Sequence, residues 1–196
     1  MYDGGIRVPG ILEWPGKIAR GTKSDVNTVT SDILPTLCRI SGLDEPDRPL
    51  DGIDLTSLIE GRMVKRTVPI FFWSFNTAEE TKRTPYLPLE LQTGTTPLVK
   101  MMNGLYTRNF QNFHHGQITQ TDYSGQRVIL EKQYKLVIID QSEGRATKEL
   151  FDVRSDPTEK NNLVDSKPSL AGEMELRLRV WQKSVLTSLT GADYLR

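Results

Sequence analysis

The strongest periodicity in the chain lies near its C-terminal end. Leu170, Met174, Leu178, Trp181 and Val185 recur at spacings of four, four, three and four. That spacing lays one apolar stripe along a helix and predicts a helix over about 168–188. Pro168 suits the first turn, Ser166 or Ser169 can cap it, and Gly191 can close it. Arg177, Arg179 and Lys183 flank the stripe and read as solvated. A stripe of this width needs a partner surface. The segments before it supply one: residues 127–130 and 134–139 are apolar runs bracketing a tight connection at 131–133, which predicts an antiparallel hairpin. A third strand is expected over 147–151. The pattern as a whole predicts an antiparallel sheet of about four strands between roughly 100 and 165, with the helix laid across it.

Upstream, Pro and Gly punctuate shorter apolar pieces. Residues 6–14 (IRVPGILEW) can form one or two short strands, with Pro9 at an edge or break. WPGK at 14–17 is a turn, and residues 26–30 are extended. A helix is predicted over about 32–41, with Asp32 as N-cap accepting from the Leu34 N–H and Pro35 at N3. Ile33, Leu37 and Ile40 share one side of it, Leu34 and Cys38 lie beside them, and Gly42 terminates it. Cys38 reads as a small buried hydrophobe. Residues 43–52 form an acidic, proline-rich loop, and a short helix follows at 54–60. FFW at 71–73 reads as a core strand. Residues 76–98 are polar and turn-rich before LVKMM at 98–102 resumes the apolar pattern. Residues 1–60 hold too few apolar positions for a core of their own.

Composition narrows the function. The 196 residues carry 25 Lys plus Arg against 25 Asp plus Glu, so no basic excess supports a nucleic-acid partner. The single cysteine excludes an internal disulfide framework and an all-cysteine metal cage. No apolar run is long enough to span a membrane. The opening MYDGGIRVPGILEWPGKI lacks the basic flank and apolar run of a secretory signal and reads like the middle of a larger protein. The two histidines are adjacent, at 114 and 115. On a regular strand they would point to opposite faces, which disfavours shared metal ligation. No HExxH, GxSxG, Walker A or dinucleotide fingerprint is present, and the residues assemble no nucleophile–base–orienter set.

Five pieces, in order, carry a family resemblance. GGIRVPGILEWPGKIARGTKSD, SDILPTLCRISG, DGIDLTSLIEG, YKLVI and ELFDVRSDPTEKNNL resemble the C-terminal portion of the sulfatase family, within the alkaline-phosphatase-like α/β hydrolases. TTPLVKMMNG and NFHH are similar to pieces of a bacterial arylsulfatase-type subgroup. The resemblance is weakest across 76–100. It implies an α+β chain: the tail end of an α/β sulfatase core, over 1–75, then a C-terminal subdomain, over 76–196, with a small antiparallel sheet of about four strands packed on a long helix. It implies a parent that hydrolyses sulfate esters of carbohydrates, is periplasmic or secreted, and uses calcium and a formylglycine. It also implies that the partner of this chain is a missing N-terminal catalytic core.

This chain departs from the family at the reacting groups. The Cys/Ser-x-Pro-x-Arg motif that yields formylglycine is not matched by LCRIS around Cys38. The family's catalytic lysine would precede Tyr2, Asp3, Gly4 and Gly5, and Lys17 and Lys23 cannot stand in for it. Asp3 occupies a position where Glu is commoner, and 131–133 (Glu-Lys-Gln) replaces a common Asp-Gly turn. No catalytic residue, metal ligand or cofactor is therefore expected in this chain. A substrate-facing wall is expected from Arg7, Trp73, His114 and His115. Arg7 can meet a sulfate or instead support a junction. Trp73 can stack on a sugar ring or instead fill a core. The histidine pair can donate to an anion or lie on a plain wet loop. Two other readings stand beside the enzyme portion: a sulfated-glycan binding module, and a purely structural subdomain.

Overall fold

The computed structural model describes residues 2–75, 117–141 and 145–193. The apolar run at 98–102 and the histidine pair lie outside them. The fold is α+β, a four-stranded antiparallel sheet with a helix across one face. Its strands are β1 (Ile70–Trp73), β2 (Arg127–Glu131), β3 (Tyr134–Asp140) and β4 (Ala146–Asp152), adjacent in that order. Four helices accompany them among the described residues: α1 (Asp3–Ile6), α2 (Ile33–Ser41), α3 (Thr56–Ile59) and α4 (Pro168–Leu189).

The hairpin forms where the apolar runs place it. Val128 pairs with Val137 and Ile129 with Leu136. Its turn holds Lys132 at a φ of 56°, the left-handed conformation that the absent glycine would adopt more easily. The remaining strand corrects the expected extent of the sheet. β1 comes from residues 70–73, ahead of the 100–165 span, and pairs along β2 with Phe71 opposite Ile129. FFW is thus a strand, as its composition suggests, but it lies at the sheet margin, with Ile70 buried and the three aromatics half-buried.

Strand alternation sorts the side chains onto two faces. Ile129, Leu136, Ile138 and Leu150 meet Ala171, Met174 and Leu178 of α4 to make the main core. On the other face Val128, Val137 and Phe151 pack with Ile6, Phe72, Ile139 and Val153. The N-terminal segment reaches that second face. The Tyr2 hydroxyl donates to Glu149 Oε2 at 2.6 Å, and its ring meets Phe151 edge-on. Strands were expected over 6–14, but only the one-turn α1 forms there. Among the described residues no strand pairs with residues 7–13, and a short strand without a neighbour gains nothing. Ile11 is 97% exposed.

The helix α4 matches its predicted length, with Pro168 in the first turn and Gly191 at a φ of 78° beyond the end. Its buried line differs. Ala171, Met174, Leu178, Gln182 and Leu186 face the sheet, while Leu170, Trp181 and Val185 are only half-buried. Gln182 tolerates the core because its amide donates to the Tyr123 carbonyl at 3.1 Å. Trp181 occupies the flank instead, stacked on Phe71 with ring centroids 4.9 Å apart. Neither serine caps the helix. Lys167 is the N-cap with no side-chain bond, and the Ser166 hydroxyl donates to the Leu163 carbonyl.

The run after β4 is a built connection. Asn162 Oδ1 accepts from Leu150 and Val164 N–H at 2.9 and 3.0 Å, and Leu163 N–H donates to Leu150 at 2.7 Å. The β4 edge is thereby covered. Asp156 accepts from the N–H groups of Asn161 and Lys160, which holds its carboxyl below the usual range. Glu159, at a φ of 54°, closes the loop onto the sheet through Lys135, whose ammonium lies 2.6 Å away and is fully buried. The strained backbone at Glu159 is held in place by that ion pair.

Two measurements check this packing. Met174→Ala should lower stability by about 3 kcal/mol in urea denaturation, because the side chain is fully enclosed. Leu176→Ala, at a 70% exposed position of the same helix, should leave the midpoint within about 0.5 kcal/mol of wild type. An equal shift for both would mean that α4 presents another face. The second measurement is a phenol titration, taken as the difference between wild type and Tyr2→Phe. The bond to Glu149, with burial and the nearby carboxylates, pushes the Tyr2 pKa up to about 12 from 10.0. The folded value lies above the unfolded one, so this contact's stabilisation is complete below pH 10 and is lost as pH rises to about 12. Glu149→Gln should bring the titration back toward 10.0.

Candidate functional site

Asp32 is the most connected polar residue of the N-terminal region, and it is fully buried. The sequence suggested an ordinary N-cap with Leu34. In the structure Asp32 has helical backbone angles, ends a 3-10 turn at Thr30–Asp32, and makes no cap bond to α2. Its carboxylate turns inward. One oxygen accepts from Val29 N–H at 2.8 Å and Arg66 Nη1 at 2.7 Å. The other accepts from Ile53 N–H and Arg66 Nη2, both at 2.9 Å. Four donors thus satisfy both oxygens, and the planar guanidinium fits them as a fork. Arg66 Nε continues to the Val68 carbonyl at 2.7 Å, two residues before β1.

A second link runs beside the first. The Thr36 hydroxyl donates to the Asp32 carbonyl at 2.6 Å and accepts from Leu55 N–H at 3.0 Å. Gly52 lies so close to the Asp32 turn that a Cβ there would come within 2.0 Å of the Ser31 carbonyl oxygen. The loop at 43–55 is therefore pinned to α2 by Asp32, Thr36 and Gly52. Its far side reaches the C-terminal helix, where the Trp181 indole N–H donates to Asp51 at 2.8 Å.

A shallow cleft of about 310 Å³ opens between this loop and the end of α4, lined by Thr30, Ser31, Leu34, Arg48, Asp51, Ser188 and Asp193 among others. The Ser188 hydroxyl donates to Asp193 at 2.5 Å. The lining mixes one cation with two carboxylates. The Ser188–Asp193 contact is its one hydroxyl–carboxylate pair, and among the described residues no histidine or lysine lines the cleft to complete a nucleophile–base–orienter set. Among the described residues no three His, Cys, Asp or Glu side chains gather as metal ligands.

The residues expected to face substrate are dispersed. Trp73 ends β1 on the helix side of the sheet. Its indole N–H donates to the Ser124 carbonyl at 2.8 Å, and its ring meets Phe75 and Trp181 edge-on. Arg7 is exposed and follows Ile6, which packs on the opposite face. The structure does not bring these two together. His114 and His115 lie outside the described residues. Cys38 is buried on α2 and free, as its small apolar character implies.

Asp32, Arg66 and Asp51 were not legible as partners. Each is a common charged residue with no spacing that ties it to the others. Gly52 was the one available signal, since a glycine after Asp51 can mark a close backbone approach.

No family model matches the chain. Curated relatives do. Human steryl-sulfatase is 50% identical over 62 residues, which are 31% of this chain and 11% of that protein. Bovine arylsulfatase A is 37% identical over 73 residues, 37% of this chain and 14% of that protein. N-acetylgalactosamine-6-sulfatase of Sus scrofa is 38% identical over 78 residues, 39% and 15% of the two chains. The matches thus span about one-seventh or less of each relative's length. Two solved structures overlap more of the chain at low similarity. One is a phosphonate monoester hydrolase of Agrobacterium radiobacter, at 22% identity and a TM-score of 0.41 over 77% of this chain and 24% of that one. The other is a complex with D-glucosamine-2-N,6-O-disulfate, at 15% identity and a TM-score of 0.44 over 78% and 23%.

Removing the buried carboxylate tests the Asp32 clamp. Asp32→Ala should cost about 3–5 kcal/mol, because it leaves the Arg66 guanidinium enclosed without its partner. Arg39→Ala breaks only the exposed 4.0 Å contact to Asp54 and should cost under about 0.5 kcal/mol. Matching midpoints for the two variants in chemical denaturation would remove the clamp from the account.

Proposed function

We propose that this chain, a relative of the sulfatases, supplies the C-terminal, non-catalytic portion of a sulfate-ester hydrolase whose substrates are sulfated carbohydrates. The observation that carries the reading is sequence identity of 37–50% to three kinds of curated sulfatase. The carbohydrate substrate draws on one of those relatives, named for N-acetylgalactosamine-6-sulfate chemistry. The non-catalytic role draws on the sequence itself. Cys38 is followed by Arg39, Ile40 and Ser41, so the Pro and Arg of the formylglycine motif are missing at their offsets. Cleaving a sulfate ester requires charge to be stabilised on the sulfuryl and leaving oxygens by preorganised cations and donors. Calcium and formylglycine would belong to the other part of the enzyme.

In this reading the chain adds one wall to the substrate cleft. Arg7, Trp73, His114 and His115 are the proposed contacts. A loop carried on a rigid sheet is a normal place for recognition residues. The indole N–H and ring of Trp73 already have partners, so a sugar would have to displace or share them.

The test uses this chain alone and the complete enzyme. With calcium and an aryl sulfate, the chain alone should show no turnover above buffer. Turnover that Cys38→Ala abolishes would overturn the reading. In the complete enzyme, His114→Ala or His115→Ala should lower kcat/KM for a sulfated sugar about 10- to 100-fold and for a small aryl sulfate much less. No loss on either substrate would remove the pair from the wall.

A further inference from the structure

One face of α2 is out of keeping with a surface helix. Ile33, Leu34, Leu37 and Ile40 are 56%, 42%, 54% and 39% exposed. Leu43, just past the helix, is 68% exposed. Spacings of four and three place 33, 37 and 40 on one side, with 34 beside them. The buried positions are Pro35, Thr36 and Cys38. The helix thus turns its smaller and more polar side inward and its aliphatic side outward. Its single charge, Arg39, is drawn toward Asp54. Contiguous aliphatic patches of this kind mark interaction surfaces more often than plain solvent-facing ones.

The orientation of α2 is not loosely set. Thr36 is bonded both to Asp32 and to Leu55, and Asp32 is fixed by Arg66. Gly42 ends the helix at a φ of 68°, with its N–H and that of Leu43 returned to the last-turn carbonyls. A helix held from its inner side by a buried ion pair cannot roll its aliphatic side under. No other described element covers it.

We infer that this aliphatic face of α2 is the seam onto which the catalytic part of the same enzyme docks; the inference rests on the function proposed above. Its occupant is an apolar polypeptide surface from that part. The curated relatives carry more than four-fifths of their length outside the matched stretch, which is ample chain to provide it. The face presents no charge at 33, 34, 37 or 40, so an apolar partner fits it and a nucleic acid or acidic peptide does not.

Thiol labelling reads the seam directly. In a Cys38→Ala background, Leu37→Cys and Ile33→Cys are introduced into this chain and into the longer polypeptide that its gene encodes. Leu176→Cys on α4 is the control. Modification by a maleimide is followed per peptide by mass spectrometry. In this chain alone, the cysteines at 33 and 37 should react as quickly as the one at 176. In the longer polypeptide both should slow on the order of tenfold or more, while the control stays fast. Unchanged rates at 33 and 37, in a longer polypeptide that hydrolyses sulfate esters, would overturn the seam and leave the proposed function intact. A gene that encodes no catalytic part, or a polypeptide without sulfatase turnover, would remove both. Slow labelling in this chain alone, reversed on dilution, would assign the face to a second copy and overturn the inference.

Discussion

The buried bidentate pair between Asp32 and Arg66 sets the arrangement of residues 29–68. A carboxylate with no exposure is costly unless both oxygens are satisfied, and four donors converge to satisfy it. Those donors come from three separate stretches: the extended piece before α2, the loop at Ile53, and Arg66 on the approach to β1. None of these stretches holds a core cluster of its own. The ion pair therefore does what apolar packing does elsewhere in the molecule: it fixes where the connecting segments cross. Thr36 and Gly52 repeat the constraint with a hydroxyl bridge and a backbone approach too close for any side chain.

The sheet and α4 are stabilised differently. Their main core is apolar and closed, from Ile129 and Leu136 through Met174 and Leu178. Polar contacts there sit at the margins, such as Lys148 to Glu175 and Arg127 to Asp140. The exceptions are Gln182, whose amide donates to the Tyr123 carbonyl, and the fully buried Lys135, paired with Glu159, which has a left-handed backbone conformation. The two parts meet through the Trp181 bond to Asp51 and through Arg66, whose chain leads directly into β1. A change in the clamp should thus be felt at the sheet margin.

The parts legible in the sequence are those where one physical signal dominates. The hairpin at 127–140 and the length of α4 follow from apolar runs and spacing, and Gly42 and Gly191 mark helix ends because they adopt positive φ. The rotation of α4 was misread because hydrophobicity alone chose Trp181 over Gln182. The amide enters the core by bonding to Tyr123, and the indole stacks at the flank. Residues 6–14 were misread because a β-like composition says nothing about whether a partner strand lies alongside. Asp32 was read as a cap on α2, whereas its carboxylate turns to Val29 three residues back and to Ile53 and Arg66, 21 and 34 residues away. Long-range polar pairing has no period, so pattern reading cannot find it.

The contrast between the two sides of α2 follows from the same constraint. Were apolar burial alone to orient this helix, Leu37 and Ile40 would face inward and Thr36 outward. The observed orientation is the reverse, because Thr36 and the Asp32 turn must reach Leu55, Ile53 and Arg66. Turning the helix over would leave the Asp32 carboxylate and the Arg66 guanidinium buried without partners, whereas Ile33, Leu34, Leu37 and Ile40, at 39–56% exposure, keep about half of their burial where they stand. The polar network therefore decides the orientation, and the aliphatic face is left for another surface. The clamp gives the proposed seam its fixed direction: α2 is held from its inner side through Thr36, Asp32 and Arg66, and whatever covers Ile33, Leu37 and Ile40 meets a face oriented by those bonds.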